Sequence, residues 1–121
     1  MIIEILDCEF SICKVADYSA VDLDADFIFV SKTDEEKSLV CPTVGIPSNT
    51  IERNDGWRAF RIQGILDFSL IGILSSISRI LADNQIGIFV ISTFNTDYIL
   101  VKAENLSKAV DALSNAGYTV E

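Results

Sequence analysis

Residues 57–121 alternate between extended and helical patterns in the order of a split βαβ unit. An alternating apolar segment at 57–66 is followed by apolar residues at helical spacing, then by two apolar runs, a second helical pattern and a last short run. This β-α-β-β-α-β order predicts an α+β domain whose two helices pack on one face of an antiparallel sheet. The order carries no chemistry by itself, because one fold hosts many functions.

Polar residues and glycine mark the ends of the predicted elements in this half. Asp67 or Ser69 is expected to cap the first helix at its N-terminus, Asn84 to end it in a left-handed conformation, and Gly117 to end the second helix. The polar turn 92–97 joins two strands that are therefore expected to be antiparallel neighbours. The predicted strands are 57–66, 87–93, 98–102 and 118–120, and the predicted helices are 70–81 and 106–116.

The first half reads as short strands without clear amphipathic helices. The predicted strands are 2–6, 10–15, 27–31 and 38–41, the last two forming a hairpin, with a loop or short helical turn at 17–26. Pro42, Gly45 and Pro47 end regular structure. The Asn-Asp-Gly sequence at 54–56 is a further turn signal, and there we place the boundary between an abbreviated first half, 1–56, and a complete domain, 57–121.

Composition narrows the classes of function. A chain of 121 residues allows one ordinary domain or two very small modules, and no apolar run approaches the length that crosses a bilayer. We therefore expect a soluble, cytoplasmic protein with no membrane partner. The net charge of −9 argues against a nucleic-acid partner. The negative charge is concentrated in residues 1–56, which contain twelve acidic and four basic residues.

The side chains that most enzymes need are scarce. The sequence has no histidine, and its three cysteines form no C-x-x-C pair, which favours buried thiols in a reducing compartment. The carboxylate run at 34–36 reads more simply as an exposed charged segment than as a metal site. A glycine-rich phosphate loop and a nucleophile elbow are absent from the sequence. We predict no catalytic residue, no metal and no cofactor, and hence not an enzyme.

The sequence at 91–101, Ile-Ser-Thr-Phe-Asn-Thr-Asp-Tyr-Ile-Leu-Val, after the helix at 70–81, resembles the ACT domain family. The likeness is to short bacterial tandem-ACT proteins and to the ligand-binding modules of the eukaryotic cytosolic arginine sensors. Segments 10–15, 31–33, 39–42 and 55–58 also resemble those short proteins, so the likeness spans nearly the whole chain. It implies a ferredoxin-like fold, with residues 57–121 as the ACT domain and residues 1–56 as an abbreviated ACT-like half. It also implies small-molecule binding, usually of an amino acid, and a regulatory role without catalysis.

A bound amino acid presents a carboxylate and an ammonium that the site must satisfy. Free amides at the start of the first helix, near Ser69, Gly72 and Ile73, suit the carboxylate because a helix N-terminus attracts anions. Glycine costs about 1 kcal/mol in a helix relative to alanine. Gly72 therefore has either of two explanations: a ligand approaches the backbone there, or the helix packs tightly on the sheet.

Asp97 is the residue that we predict to bind the ammonium or a cationic side chain. Ser92, Thr93 and Thr96 add hydroxyl groups at the same turn. Asp97 and Asn95 have an alternative role, which is to favour the turn through local hydrogen bonds. Phe94 either lines the ligand pocket at this turn or packs into the core.

Ser31 and Thr33 occupy a similar strand-to-turn position in the first half. If the two halves lie side by side, the ligand is held between these residues and the 92–97 turn. The predicted ligand-binding residues are thus Ser69, Gly72, Ile73, Ser92, Thr93, Phe94, Thr96 and Asp97, together with Ser31 and Thr33.

The function expected from these features is a small-molecule sensor that acts by changing its own assembly or its contact with an unidentified protein partner. We expect a homodimer or a higher homo-oligomer. The alternative is a module that has lost its ligand and serves as a dimerisation or scaffolding unit through a sheet edge or an apolar helix face.

Overall fold

The computed structural model describes residues 2–63 and 72–121. The chain divides into two compact units: Met1–Asp7 with Arg58–Glu121, termed the helical unit, and Cys8–Trp57, termed the short unit. Strand β5 (Thr50–Ile62) contributes residues to both units, so the boundary predicted after residue 56 falls inside a strand. The domain assignment 1–56 and 57–121 stays a prediction.

The helical unit is an α+β layer structure built on a mainly antiparallel sheet. Its strands lie in the order β6-β7-β5-β1-β8, and β1 runs antiparallel to β5 but parallel to β8. Besides its part of β5, its elements are β1 (Ile2–Ile5), α1 (Ile73–Asp83), β6 (Phe89–Ser92), β7 (Asp97–Lys102), α2 (Leu106–Asn115) and β8 (Thr119–Val120). The predicted β-α-β-β-α-β order is confirmed, and β1 is an additional strand inserted beside β5.

The core of the helical unit lies between its two helices and one face of its sheet. Apolar residues four apart on each helix, Ile77 with Leu81 and Ala109 with Leu113, are fully buried because they form a single stripe. They pack against alternate residues of the strands, which point to the same face. These strand residues are Ile3, Phe60, Ile62, Ile99 and Val101.

The short unit repeats the strand order without α-helices among its described residues. Its sheet order is β3-β4-β2-β5, formed by β2 (Phe10–Val15), β3 (Phe29–Lys32), β4 (Lys37–Pro42) and the first part of β5. A 3₁₀ turn, Thr43–Gly45, follows β4 just as the 3₁₀ turn Ala103–Asn105 follows β7 in the helical unit, but no α-helix comes after it within Cys8–Trp57. Cys13, Val15, Leu39 and Cys41 form one apolar face, and Tyr18, Val21, Ile28 and Ile46 from the connecting segments cover it.

The predicted hairpins are confirmed, with small differences at the strand ends. β3 pairs with β4, and β6 with β7, each antiparallel and each closed by a four-residue turn. Residues 17–26 form turns, as expected. Strand β3 begins at Phe29 rather than at residue 27, because Phe27 has a φ of +62° that an extended strand does not accommodate.

The turn predicted at 54–56 is wrong, because β5 continues through these residues without reversing its direction. Phe10 of β2 pairs with Trp57 whereas Ile12 pairs with Asn54, so β5 carries one extra residue there and forms a β-bulge. Gly56 supplies the positive φ of +82°. The side chain of Asp55 accepts a hydrogen bond from the buried Ser11 hydroxyl at 2.7 Å. A sequence typical of a turn thus serves to bend a long strand.

Both ends of α1 differ from the prediction. The helix begins at Ile73, with Gly72 as its N-cap residue at a φ of +91°, whereas Asp67 and Ser69 lie outside the described residues. At the other end Asn84 is the C-cap residue, but its φ is −96° and the left-handed residue is Gln85. Asn84 instead donates its side-chain amide to the carbonyl of Ile80 at 2.8 Å, which satisfies a terminal acceptor of the helix.

Candidate functional site

The β6–β7 turn of the helical unit is held by its own polar side chains. The Ser92 hydroxyl donates to the Asp97 carboxylate at 2.5 Å, across the strand pair that closes the turn. The Thr93 amide and hydroxyl both donate to the carbonyl of Thr96, at 2.9 and 3.0 Å. These bonds show that the predicted residues shape the turn, and their contact with a ligand stays a prediction.

Thr96 ties this turn to the neighbouring strand. Its buried hydroxyl donates to the carbonyl of Ile62, the last residue of β5, at 2.8 Å. Phe94, at the tip of the turn, is 81% exposed, so the alternative in which it packs into the core is wrong. The link between Thr96 and Ile62 places the side chains of the turn beside the end of β5.

Gly72 and Ile73 lie at the start of α1, and Ser69 lies outside the described residues. No atom of the described residues comes within 4 Å of a Cβ built on Gly72, so tight packing against them does not explain the glycine. Its φ of +91° does, because only glycine adopts this conformation without strain. Ile73 packs against the core between helices and sheet.

Ser31 and Thr33 lie in the short unit. Ser31 pairs with Ser38 across the β3–β4 hairpin, and the Thr33 hydroxyl accepts hydrogen bonds from the amides of Glu35 and Glu36. Both residues are exposed. A site that they form jointly with the β6–β7 turn stays a prediction.

A polar cleft of about 350 Å³ opens on the helical unit, on the sheet face opposite the helices. Its position follows from strand alternation: Ile3, Phe60 and Ile99 point to the helices, so their chain neighbours Glu4, Arg61 and Tyr98 point the other way. Ser92 and Asp97 lie on the helix side by the same rule. The lining residues are Glu4, Arg61, Gln63, Asn95, Thr96 and Tyr98.

Arg61 and Glu4 are the charged residues among the described lining of this cleft. The Nη2 and Nε of Arg61 donate to the same Glu4 carboxylate oxygen at 2.8 and 3.2 Å, and the Arg61 guanidinium lies 5.9 Å from the centre of the Tyr98 ring. Hydrogen bonds to Tyr98 and to Glu4 raise the pKa of Arg61 above its usual value. The two charged side chains are only 30% and 35% exposed. The cleft therefore holds an oriented, partly buried pair of opposite charges.

Sequence reasoning identified Thr96 alone among the residues that line the cleft. Arg61 carried a signal, because a charge between Phe60 and Ile62 marks the opposite face of a half-buried strand. Glu4 had no comparable signal. It reaches the cleft only because β1 pairs with β5 in the register that places Glu4 opposite Arg61.

No three histidine, cysteine, aspartate or glutamate side chains in residues 2–63 and 72–121 come together as metal ligands. No helix in the same residues is long and apolar enough to cross a membrane.

Comparisons with known proteins identify the family. The sequence model of the ACT domain family matches residues 52–115, which is more than half of the chain. A protein from Agobacterium tumefaciens, Atu0741, has a crystal structure that superposes with a TM-score of 0.86 at 34% identity, over 99% of this chain and 91% of that one. A comparison with curated protein sequences gave no match.

More distant structures share the fold. A protein of Vibrio cholerae has a TM-score of 0.69 at 18% identity, over 92% of this chain and 85% of that one. The regulatory subunit of aspartate kinase from Thermus thermophilus, in its ligand-free form, has a TM-score of 0.60 at 11% identity, over 91% and 93% of the two chains. ACT domains are regulatory rather than catalytic modules. The ferredoxin-like α+β fold is thereby confirmed, and the chain belongs to the ACT domain family.

Proposed function

We propose that this chain is a regulatory protein without catalytic activity, and that it binds a free amino acid in the cleft of the helical unit. The observation that carries the proposal is the pair of Arg61 and Glu4, two opposite charges that face one small cavity. A free amino acid carries the complementary pair, a carboxylate and an ammonium on the same carbon. The Thermus regulatory subunit supports a regulatory role for this fold.

The pair favours a zwitterion over a simple ion for an electrostatic reason. An anion that binds Arg61 by itself leaves the Glu4 carboxylate without its partner. A cation that binds Glu4 by itself leaves the Arg61 guanidinium without its partner. Leaving one member of a partly buried pair unsatisfied is costly. A zwitterion satisfies both groups at once, because its carboxylate accepts from the planar guanidinium while its ammonium donates to Glu4.

The sequence predicts a ligand in a different place, at Asp97, Ser92 and the start of α1. Those residues lie on the helix side of the sheet, so the two locations predict different effects of mutation. We keep Asp97 as the rival contact for the ammonium. A homo-oligomer, a cytoplasmic setting and the relation to tandem-ACT proteins and the arginine sensors remain part of the proposal.

Thermal unfolding against the twenty amino acids at millimolar concentration tests the proposal. A ligand at a hundred times its dissociation constant stabilises by about 2.7 kcal/mol, which raises Tm by several degrees in a protein of this size. We expect one or a few amino acids to raise the Tm of the wild type, and Arg61→Met to abolish the rise.

The matched control is Lys14→Met, because Lys14 pairs with Glu52 in the short unit but lines no part of the cleft. Acetate and methylamine, each carrying one of the two charges, are expected to leave Tm unchanged. Loss of the effect in Asp97→Asn but not in Arg61→Met would move the site to the helix side. No stabilisation by any amino acid would refute amino-acid binding.

A further inference from the structure

The cleft has a second group of polar side chains beyond its charged pair. The hydrogen bond from Thr96 to Ile62 brings their chain neighbours, Asn95 and Gln63, to the same end of the cleft. Arg61 and Tyr98 lie on the other side of this link. The cleft is therefore arranged in two parts: charges at Glu4 and Arg61, and two exposed primary amides at Gln63 and Asn95.

The six described residues that line the cleft all carry polar groups, and none is aliphatic. Ligand pockets are usually lined by apolar side chains, which stabilise a bound apolar ligand because its surface is removed from water. The polar lining of this cleft contributes little stabilisation of that kind. A leucine or isoleucine side chain placed here would cover the amides of Gln63 and Asn95 without replacing their hydrogen bonds to water.

Each of the two amides presents both donors and an acceptor. Together they suit a ligand group that also donates and accepts, such as a carboxamide or a hydroxyl. They suit a charged group less well, because neither amide carries a compensating charge and Arg61 is already engaged with Glu4. The six described lining residues include one positive and one negative side chain and are neutral in sum, so an additional ligand charge has no counterpart among them.

Resting on the proposed function, we infer that the ligand is an amino acid whose side chain is uncharged and forms hydrogen bonds, with Gln63 and Asn95 as the residues that determine this specificity. The main-chain charges of the ligand engage Arg61 and Glu4, and its side chain lies between the two amides. One net hydrogen bond contributes about 1 kcal/mol, so two of them favour such a ligand about tenfold or more over an apolar ligand of equal shape.

Pairs of ligands with matching shape test this specificity in thermal unfolding and calorimetric titration of the whole chain. Asparagine is compared with leucine and with aspartate, and threonine with valine. We expect asparagine or threonine to bind about tenfold tighter than its apolar counterpart, and asparagine tighter than aspartate. Gln63→Leu with Asn95→Leu is expected to remove the preference for asparagine over leucine while binding of the zwitterion persists.

The control variant is Asn115→Leu, an exposed substitution at the end of α2 that leaves the cleft intact. Equal binding of asparagine and leucine by the wild type would overturn the specificity inference and leave amino-acid binding standing. The same holds if the double variant keeps the wild-type preference. Failure of every amino acid to bind, by contrast, would refute the proposed function itself and this inference with it.

Discussion

Apart from β1, which only the helical unit has, the two units build the same strand order, and they cover their sheets in different ways. Hairpin β6–β7 repeats hairpin β3–β4 sixty residues later, with Phe-Val at the start of each first strand and the same burial pattern along each second strand. The helical unit covers one sheet face with α1 and α2, whereas the short unit uses Tyr18, Val21, Ile28 and Ile46 from its connections. The strand pattern therefore sets the topology, and the helices are one of two ways to bury the same face.

In each unit, the sheet face that points away from the core carries a cross-strand pair of opposite charges. Of these two pairs, only the pair in the helical unit lines a cleft. Arg61 lies opposite Glu4 with Nη2 at 2.8 Å from its carboxylate, while Lys14 lies opposite Glu52 with Nζ at 3.9 Å. The short unit's pair is also more exposed, at 45% and 73%. Exposed pairs of this kind contribute little. The comparison indicates that a partly buried arginine, rather than any cross-strand ion pair, distinguishes the candidate site.

The largest effect is expected where the helices cover the sheet. Leu81→Ala removes a fully buried side chain from the helical unit and is expected to lower the free energy of unfolding by about 2–5 kcal/mol, through lost burial and the cavity left behind. Leu23→Ala in the short unit is the control, because Leu23 is 66% exposed and its loss should change stability by less than about 0.5 kcal/mol. Urea unfolding measures both, and equal losses would contradict the assignment of the core.

The next largest effect on stability concerns the thiol of Cys41. This residue lies in the core of the short unit, at the position where the helical unit has Val101. Burial raises the pKa of Cys41 from 9.0 to about 11. The folded state therefore holds this proton more tightly than the unfolded state, and stability that is complete below pH 9 is lost as pH rises towards 11. We expect a loss of about 2 kcal/mol over this window.

Cys41→Val makes the two cores alike and is expected to flatten the alkaline decline in stability, measured by urea unfolding between pH 7 and 11. Cys8→Val is the control, because Cys8 is not fully buried. An unchanged decline in Cys41→Val would show that the thiol is not its source.

A smaller loss of stability is expected from a substitution at the β-bulge. Gly56→Ala forces a side chain into a φ of +82° and is expected to cost about 1–2 kcal/mol. Gly45→Ala, in the 3₁₀ turn of the same unit, meets no atom within 4 Å and has no positive φ, so it should be nearly neutral. Thermal unfolding compares the two variants, and a neutral Gly56→Ala would mean that the bulge relaxes without strain.

Local patterns predicted the elements well, because helical spacing and alternation are properties of neighbouring residues. The β6–β7 hairpin and both helices follow from such patterns. The features that the sequence did not reveal depend on distant partners: 54–56 forms a bulge because β2 pairs along that segment, and β1 joins the helical unit because it pairs with β5 and β8. The cleft was missed for the same reason, since Glu4 and Arg61 are 57 residues apart.

The most direct test of the central claim is calorimetric titration of the amino acid that stabilises the wild type most into wild type, Arg61→Met and Lys14→Met. We predict that Arg61→Met weakens binding at least tenfold, because the ligand carboxylate loses its charged partner, while Lys14→Met binds as the wild type does. Both variants remove one cation from a cross-strand pair, so a general effect of charge would appear in both. Wild-type affinity in Arg61→Met would contradict the assignment of the cleft as the binding site.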